Sequence, residues 1–130
     1  MLIIKSMSYF KKLFVGRINS GDFWIATILL SLFIYGTILI GALIGQIEEL
    51  RFIALIFIII FELYFFLIAF SVVIRRCHDI GKSGSFMFLN FVPIVNIYAA
   101  YKLYLTEDSK TNKYGKPIKN LSLKKIFKFS

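Results

Sequence analysis

The sequence predicts an all-α integral membrane protein: a small helical bundle with two transmembrane helices, a third apolar segment that is broken, and an N-terminal amphipathic helix. Three observations lead to this fold class. Hydrophobic residues make up 58% of the 130 residues, and the mean hydropathy is +0.78. The apolar residues form long runs, whereas the charges lie between and outside them. A soluble domain of this length needs a polar surface that such runs do not leave. The length predicts one domain, residues 1–130.

Two apolar segments, residues 23–45 and 52–74, are predicted to span the membrane. Each exceeds the roughly 20 helical residues that cross the hydrocarbon core of a bilayer. Asn19 or Ser20 is expected to cap the first helix, with Asp22 in its first turn, where a carboxylate complements the helix dipole.

The residues before the first span predict a helix lying on the membrane surface. In residues 7–20, Phe10 and Leu13 recur at helical spacing, with Lys11 and Lys12 on the other side. Residues 1–6 follow no pattern, so Met7 is an alternative start. Trp24 is placed for the interfacial aromatic belt.

The third apolar segment, residues 86–105, is interrupted in its middle. Pro93 removes a helical hydrogen bond, and Asn90 and Asn96 flank it, although asparagine is a poor lipid-facing residue. The pattern leaves two alternatives open, a single kinked span and a re-entrant hairpin that returns to its own side.

The distribution of Lys and Arg bears on these alternatives. Four lie in the N-terminal flank, one in the turn between the spans, three in the predicted basic linker 75–85, and seven in the tail 106–130. Three crossings would divide them seven against eight, whereas two crossings would divide them fourteen against one. The positive-inside rule favours two crossings, and in either case we expect a cytoplasmic tail.

The stretch "RRCHDIGKSG", residues 75–84, concentrates polar residues between apolar runs. Arg75, Arg76 and Lys82, beside a glycine-containing turn, suit a phosphate or a lipid headgroup. The simpler interpretation is a basic collar that orients the protein, in which Asp79 pairs with an arginine and caps the following turn. Because adjacent helical residues point about 100° apart, His78 and Asp79 do not orient each other for catalysis. One His, one Cys and one Asp are also too few for a recognised zinc site.

Glu62 lies near the middle of the second predicted span, where an ionised carboxylate is costly. If residues 86–105 cross fully, Lys102 or Asn96 reaches a similar depth and is expected to contact Glu62. A structural polar clasp between helices is the main interpretation, and proton or ion coupling is the alternative.

Three short motifs resemble those of the small bacterial inner-membrane proteins of domain-of-unknown-function family 805. They are "GRINSGDFW", "RRCHDIGKSG" and "NKYGKP", and the resemblance covers about residues 9–118. The matching positions of the middle motif, which is the most specific, are Arg75, Arg76, His78, Asp79, Lys82 and Ser83. The sequence departs from the family after Gly84, where Ser85 and Phe86 stand in place of tryptophans. The resemblance implies an inner-membrane protein of undetermined role and supplies no reaction.

The sequence therefore predicts a non-enzymatic module that binds anionic lipid headgroups, or a partner membrane protein, through a basic cytoplasmic face. The predicted contact residues are Arg17, Arg75, Arg76, His78, Asp79, Lys82 and Ser83, with Trp24 and Tyr114 as interfacial anchors. The alternative is a homo-oligomeric channel or transporter element that uses Glu62. The intramembrane polar residues are Glu62, Asn90, Asn96 and Lys102. No cofactor, metal or nucleic acid is expected.

Overall fold

A computed structural model describes residues 2–106, 110–118 and 123–127. The described helices are α1 (Leu2–Leu13), α2 (Ser20–Ile44), α3 (Arg51–Asp79), α4 (Val95–Leu105) and α5 (Leu123–Phe127). Short 3-10 helices cover Glu48–Leu50 and Gly84–Phe91, and the described residues contain no strand. The predicted basic tail is described in part, because its residues 107–109, 119–122 and 128–130 lie outside the described residues.

The helices α2 and α3 form an antiparallel hairpin and are the two predicted spans. The Asn19 side chain accepts a hydrogen bond from the Asp22 amide at 2.7 Å, which confirms the predicted cap of α2. Near the other end of α2, Gly41 lets the two helices approach, since a Cβ atom there would lie 2.2 Å from the Ile58 side chain. Helix α3 continues past residue 74 to Asp79, so the first half of the predicted linker 75–85 is helical.

The end of α3 follows from the local sequence. Arg76 lies in its last turn, where positive charge interacts favourably with the helix dipole. No glycine or proline interrupts the helix before Gly81, whose φ of 75° lies in the left-handed region and ends it. Residues 75–79, which were predicted to belong to a basic linker, therefore form the last turn of α3.

Helix α1 begins earlier and ends earlier than the predicted segment 7–20. It already includes residues 2–6, and it stops at Leu13 ahead of a turn in which Gly16 has a φ of 99°. The apolar side chains of Ile3, Ile4 and Met7 are exposed. The start of the chain thus extends the amphipathic helix instead of standing outside it.

The third apolar segment turns back on itself. The 3-10 helix Gly84–Phe91 is followed by a break at residues 92–94, where Ile94 has a φ of 69°, and then by α4. The rings of Phe86 and Tyr98, on the two arms, have centroids 6.4 Å apart. The last turn of α4 returns to the end of α3, because Arg76 Nε donates to the Leu103 carbonyl at 2.7 Å. The two arms of the segment therefore lie side by side, and the last turn of α4 lies next to the end of α3.

The core lies at the end of the bundle where α2 begins and α3 ends. Its buried residues come from the segment before α2, from α2 and α3, from the 3-10 helix Gly84–Phe91, and from α4 and α5: Ile18, Phe23, Ala26, Leu30, Ile68, Val72, Cys77, Met87, Leu103, Ile126 and Phe127. The remaining lengths of α2 and α3 carry mostly exposed apolar side chains.

Two stretches of the described chain, Ser20–Ile44 and Glu48–Asp79, are long and apolar enough to cross a membrane by length and composition. Only 11% of the apolar window in each is buried inside the protein. Their outward faces therefore require apolar surroundings that the chain itself does not supply.

Candidate functional site: a buried arginine–aspartate network

The three sequence motifs meet at a buried ion network. Arg17 Nε lies 2.8 Å from Asp79 Oδ1, and Arg76 Nη1 lies 2.6 Å from Asp79 Oδ2. Their side chains are 0–1% exposed. Each carboxylate oxygen thus accepts from a different guanidinium, a geometry in which charge-assisted hydrogen bonds are strong.

The remaining guanidinium donors hold backbone carbonyls from distant parts of the chain. Arg17 Nη1 donates to the carbonyls of Gly115 at 2.7 Å and Lys110 at 3.3 Å, and Arg17 Nη2 donates to the Asp79 carbonyl at 3.2 Å. Arg76 donates to the Leu103 and Thr106 carbonyls at the end of α4. The network therefore joins the segment before α2, the end of α3, the end of α4 and the turn 112–115.

His78 and Asn112 support the same junction. The ring of His78 stacks on Tyr114, with centroids 3.9 Å apart and planes within 10°, while His78 Nδ1 lies 3.1 Å from the Gly16 carbonyl oxygen. Asn112 Nδ2 donates to the His78 carbonyl at 2.9 Å. His78 therefore contacts the same two segments, at Gly16 and Tyr114, that Arg17 joins to Asp79. Asn112 Nδ2 also lies 3.4 Å from the Asp79 carbonyl oxygen.

Arg75 holds the last described helix. Its Nη1 donates to the Lys125 carbonyl at 3.1 Å and its Nη2 to the Ile126 carbonyl. The residue is 1% exposed, and its Nε has no hydrogen-bond partner among the described residues. Arg75 thus binds α5, and the adjacent Arg76 binds the end of α4.

The structure corrects where the predicted contact residues lie. Arg17, Arg75 and Arg76 were expected at a surface facing headgroups, but they are 0–2% exposed and bonded internally. The expectation that Asp79 pairs with an arginine is confirmed. Of the remaining predicted contact residues, Lys82 and Ser83 are exposed, and Ser83 Oγ lies 2.6 Å from Ser85 Oγ.

The two predicted interfacial anchors make internal contacts. Tyr114 stacks on His78, and Trp24 Nε1 donates to the Tyr104 carbonyl at 3.1 Å while remaining 45% exposed. The ring of Trp24 also packs edge-on against that of Tyr104. Trp24 thus ties the start of α2 to the returning arm of the third segment.

The intramembrane polar residues do not meet as predicted. Thr37 Oγ1 of α2 donates to Glu62 Oε1 at 2.6 Å, whereas a contact to Lys102 or Asn96 was expected if residues 86–105 crossed the membrane fully. The Lys102 ammonium instead lies 5.8 Å from the ring centroid of Tyr98, and Asn96 is exposed. The last turn of α4 lies at the end of α3, where Arg76 bonds the Leu103 carbonyl, whereas Glu62 lies 14 positions earlier in α3.

Asn90 has a local partner: its Nδ2 donates to the Met87 carbonyl at 3.0 Å within the 3-10 helix. The hypothesis that Glu62 couples ion or proton movement stays a prediction.

Sequence reasoning missed Asn112 as a site residue and missed the link between Arg17 and Asp79. The available signal was that each of the three motifs contains polar residues unsuited to lipid. Within residues 2–106, 110–118 and 123–127, no group of three or more His, Cys, Asp or Glu side chains is placed to hold a metal ion.

The fold and the network define a small helical membrane protein in which two long apolar helices are joined to a compact polar end. The family described as "Protein of unknown function (DUF805)" matches residues 12–116, a range that includes the first two motifs and all of the third except Pro117, and the chain belongs to this family. The resemblance inferred from those motifs is thereby confirmed.

The chain is also similar to the inner membrane protein YhaI of Escherichia coli, from strains K12 and O157:H7. In each case 29% of 108 residues are identical, covering 78% of this chain and 82% of the relative. No solved structure matches.

Proposed function

We propose that this chain is a non-enzymatic inner-membrane protein that crosses the membrane twice. It binds anionic lipid headgroups through lysines at its network end, the end of the bundle that carries the arginine–aspartate network. The observation that carries the proposal is the 2.7 Å hydrogen bond from Arg17 Nη1 to the Gly115 carbonyl. Arg17 precedes α2 and Gly115 follows α4. A direct contact between them requires an even number of crossings, so the third segment is re-entrant in this proposal.

The charge distribution supports a cytoplasmic location for this end. Exposed lysines in α1 and in the segments that follow α3 and α4 are Lys5, Lys11, Lys12, Lys82, Lys110, Lys113, Lys116 and Lys125. The turn between α2 and α3 carries Glu48, Glu49 and Arg51. A basic end and a slightly acidic turn, separated by two apolar helices, follow the positive-inside rule with the network in the cytoplasm.

Arginine and lysine then have different roles. The buried arginines form rigid, multiply bonded links that hold the segments together, a use for which the planar guanidinium is suited. The lysines remain at the surface as strongly hydrated charges, each worth about 1 kcal/mol near an anionic leaflet. The lysines therefore form the surface that meets headgroups, and Arg17 and Arg76 hold it in position.

Helix α1 supplies an apolar component to this surface. Its end is fixed to α3, because Ser71 Oγ donates to the Leu13 carbonyl at 2.5 Å and the rings of Phe14 and Phe70 pack edge to face at 6.2 Å. Its exposed apolar side chains, among them Ile4 and Phe10, lie on a helix that also carries exposed lysines. Such a helix binds at the boundary between headgroups and acyl chains.

The test is lipid binding by the full chain in detergent, measured by native mass spectrometry with phosphatidylglycerol and phosphatidylcholine. The triple variant Lys82→Gln, Lys113→Gln, Lys116→Gln is expected to bind phosphatidylglycerol at least about tenfold more weakly. Arg51→Gln, at the opposite end, is the matched control and is expected to bind like the parent chain. Unchanged binding in the triple variant would contradict the lipid proposal and leave a partner membrane protein as the alternative for this surface.

A further inference from the structure

Arg75 differs from the other buried arginines in having no acidic partner among the described residues. Arg17 and Arg76 share Asp79, whereas within the described part of the chain Arg75 donates to the neutral carbonyls of Lys125 and Ile126. Its Nε is buried, and residues 2–106, 110–118 and 123–127 supply it with no hydrogen-bond partner. Burying a charge without a counter-ion is costly, so this guanidinium would gain from an anion.

The group that covers Arg75 is a small helix with a limited contact area. Helix α5 has five residues, and Ile126 and Phe127 are its buried side chains, at 1% and 8% exposure. Leu123, on the same helix, is 56% exposed, and Lys125 is exposed. An isolated helix of this length has little intrinsic stability, so its position depends on these few contacts.

We propose that Arg75 is a binding site for the phosphate of an anionic phospholipid, and that α5 is a plug which this lipid displaces. A phosphate would offer the guanidinium charged oxygens in place of two carbonyls and would provide an acceptor for Nε. The inference rests on the proposed function in one respect, that the end of α3 lies at headgroup level. The same chemistry would suit free phosphate; the lipid is favoured because Arg75 lies near the end of an apolar helix long enough to span a bilayer.

The first experiment uses the unaltered chain in detergent micelles and measures hydrogen exchange of the amides of residues 123–127. Phosphatidylglycerol is expected to speed their exchange by roughly tenfold, because α5 leaves Arg75, while phosphatidylcholine has no effect. Unchanged or slower exchange with phosphatidylglycerol would overturn the proposal. Inorganic phosphate at millimolar concentration is the third arm, and faster exchange with it alone would overturn the assignment to a lipid.

The second experiment weakens the plug in the full chain. Ile126→Ser removes a buried contact of α5, whereas Leu123→Ser changes an exposed position of the same helix and is the matched control. Ile126→Ser is expected to bind phosphatidylglycerol about tenfold more tightly than the parent, and Leu123→Ser equally to it. Adding Arg75→Gln to Ile126→Ser is expected to abolish the gain. A gain that survives Arg75→Gln, or no gain at all, would overturn the proposal.

These measurements distinguish a failure of the lysine proposal from a failure of the Arg75 proposal. If the lysine triple variant loses lipid binding but Ile126→Ser gains none, the lysine surface stands and the Arg75 site is wrong. If Ile126→Ser gains binding that depends on Arg75 while the lysine variant binds normally, the Arg75 site stands and the lysine surface is wrong.

Discussion

Arg17 and Asp79 are 62 positions apart in the sequence and form a buried ion pair at 2.8 Å. Arg17 also bonds the Gly115 carbonyl, so one side chain connects the start of α2, the end of α3 and the turn near the C-terminus. The network therefore holds the segments that flank α2 and α3 against the end of the bundle where α2 begins and α3 ends.

Replacing Asp79 with Asn is expected to destabilise the protein strongly. Asn preserves the shape of the side chain but removes the carboxylate shared by Arg17 and Arg76, and breaking a buried ion pair costs about 3–5 kcal/mol. The measurement is the free energy of unfolding in detergent micelles. The control is Glu49→Gln, which removes the same charge from an exposed position. Equal stability of the two variants would show that the network is not a structural element.

Arg17→Lys is expected to loosen the turn 112–115 while leaving the chain folded. Lysine can still reach the carboxylate, but it lacks the fork that bonds the Gly115 carbonyl at the same time. Amide exchange in residues 110–118 should rise by about tenfold, since hydrogen bonds from charged groups contribute about 1.5–3 kcal/mol each. Lys113→Arg, at an exposed position of that turn, should leave exchange unchanged. Exchange at the parent rate in Arg17→Lys would contradict the assigned role.

Thr37→Val is expected to lower the free energy of unfolding by about 1 kcal/mol, the usual size of a hydrogen bond between membrane helices. The substitution removes the 2.6 Å donor to Glu62 on the facing helix. Thr27→Val is the control, because the Thr27 hydroxyl bonds the Phe23 carbonyl of its own helix. An equal loss in both variants would mean that the contact to Glu62 adds nothing.

Gly41→Ala is expected to destabilise the α2–α3 hairpin by about 1–3 kcal/mol, as overpacking does. The new methyl group would meet the Ile58 side chain and push the helices apart. Gly36→Ala, on the same helix with nothing within 4 Å of the added atom, should be as stable as the parent or slightly more stable, because alanine favours helix. A larger loss at Gly36 than at Gly41 would contradict the packing described for this pair.

The sequence predicted those features that depend on local pattern. The two long helices follow from apolar run length, the cap at Asn19 from the residue type before the first run, and the break in the third segment from Pro93. Each depends on interactions within a few residues, so composition and spacing were sufficient.

The partners of the charged residues were not predictable in the same way. Arg75 and Arg76 stand in a basic stretch of the kind that is usually exposed. They are buried because Asp79, α4 and α5 pack around them and accept their hydrogen bonds. The partner of Glu62 depended on whether residues 86–105 cross the membrane or turn back, which the positions of Pro93 and Asn96 left open. In both cases partners come from distant parts of the chain, which local composition and spacing do not specify.

The central claim is that the chain crosses the membrane twice with its network end in the cytoplasm. The direct test labels single introduced cysteines in intact cells with a membrane-impermeant maleimide, at Lys116→Cys beside the network and at Gln46→Cys in the α2–α3 turn. The native Cys77 is buried, and both introduced positions are exposed. We predict that Gln46→Cys is labelled in intact cells, and that Lys116→Cys is labelled only after the membrane is permeabilised. Labelling of Lys116→Cys in intact cells would contradict the account.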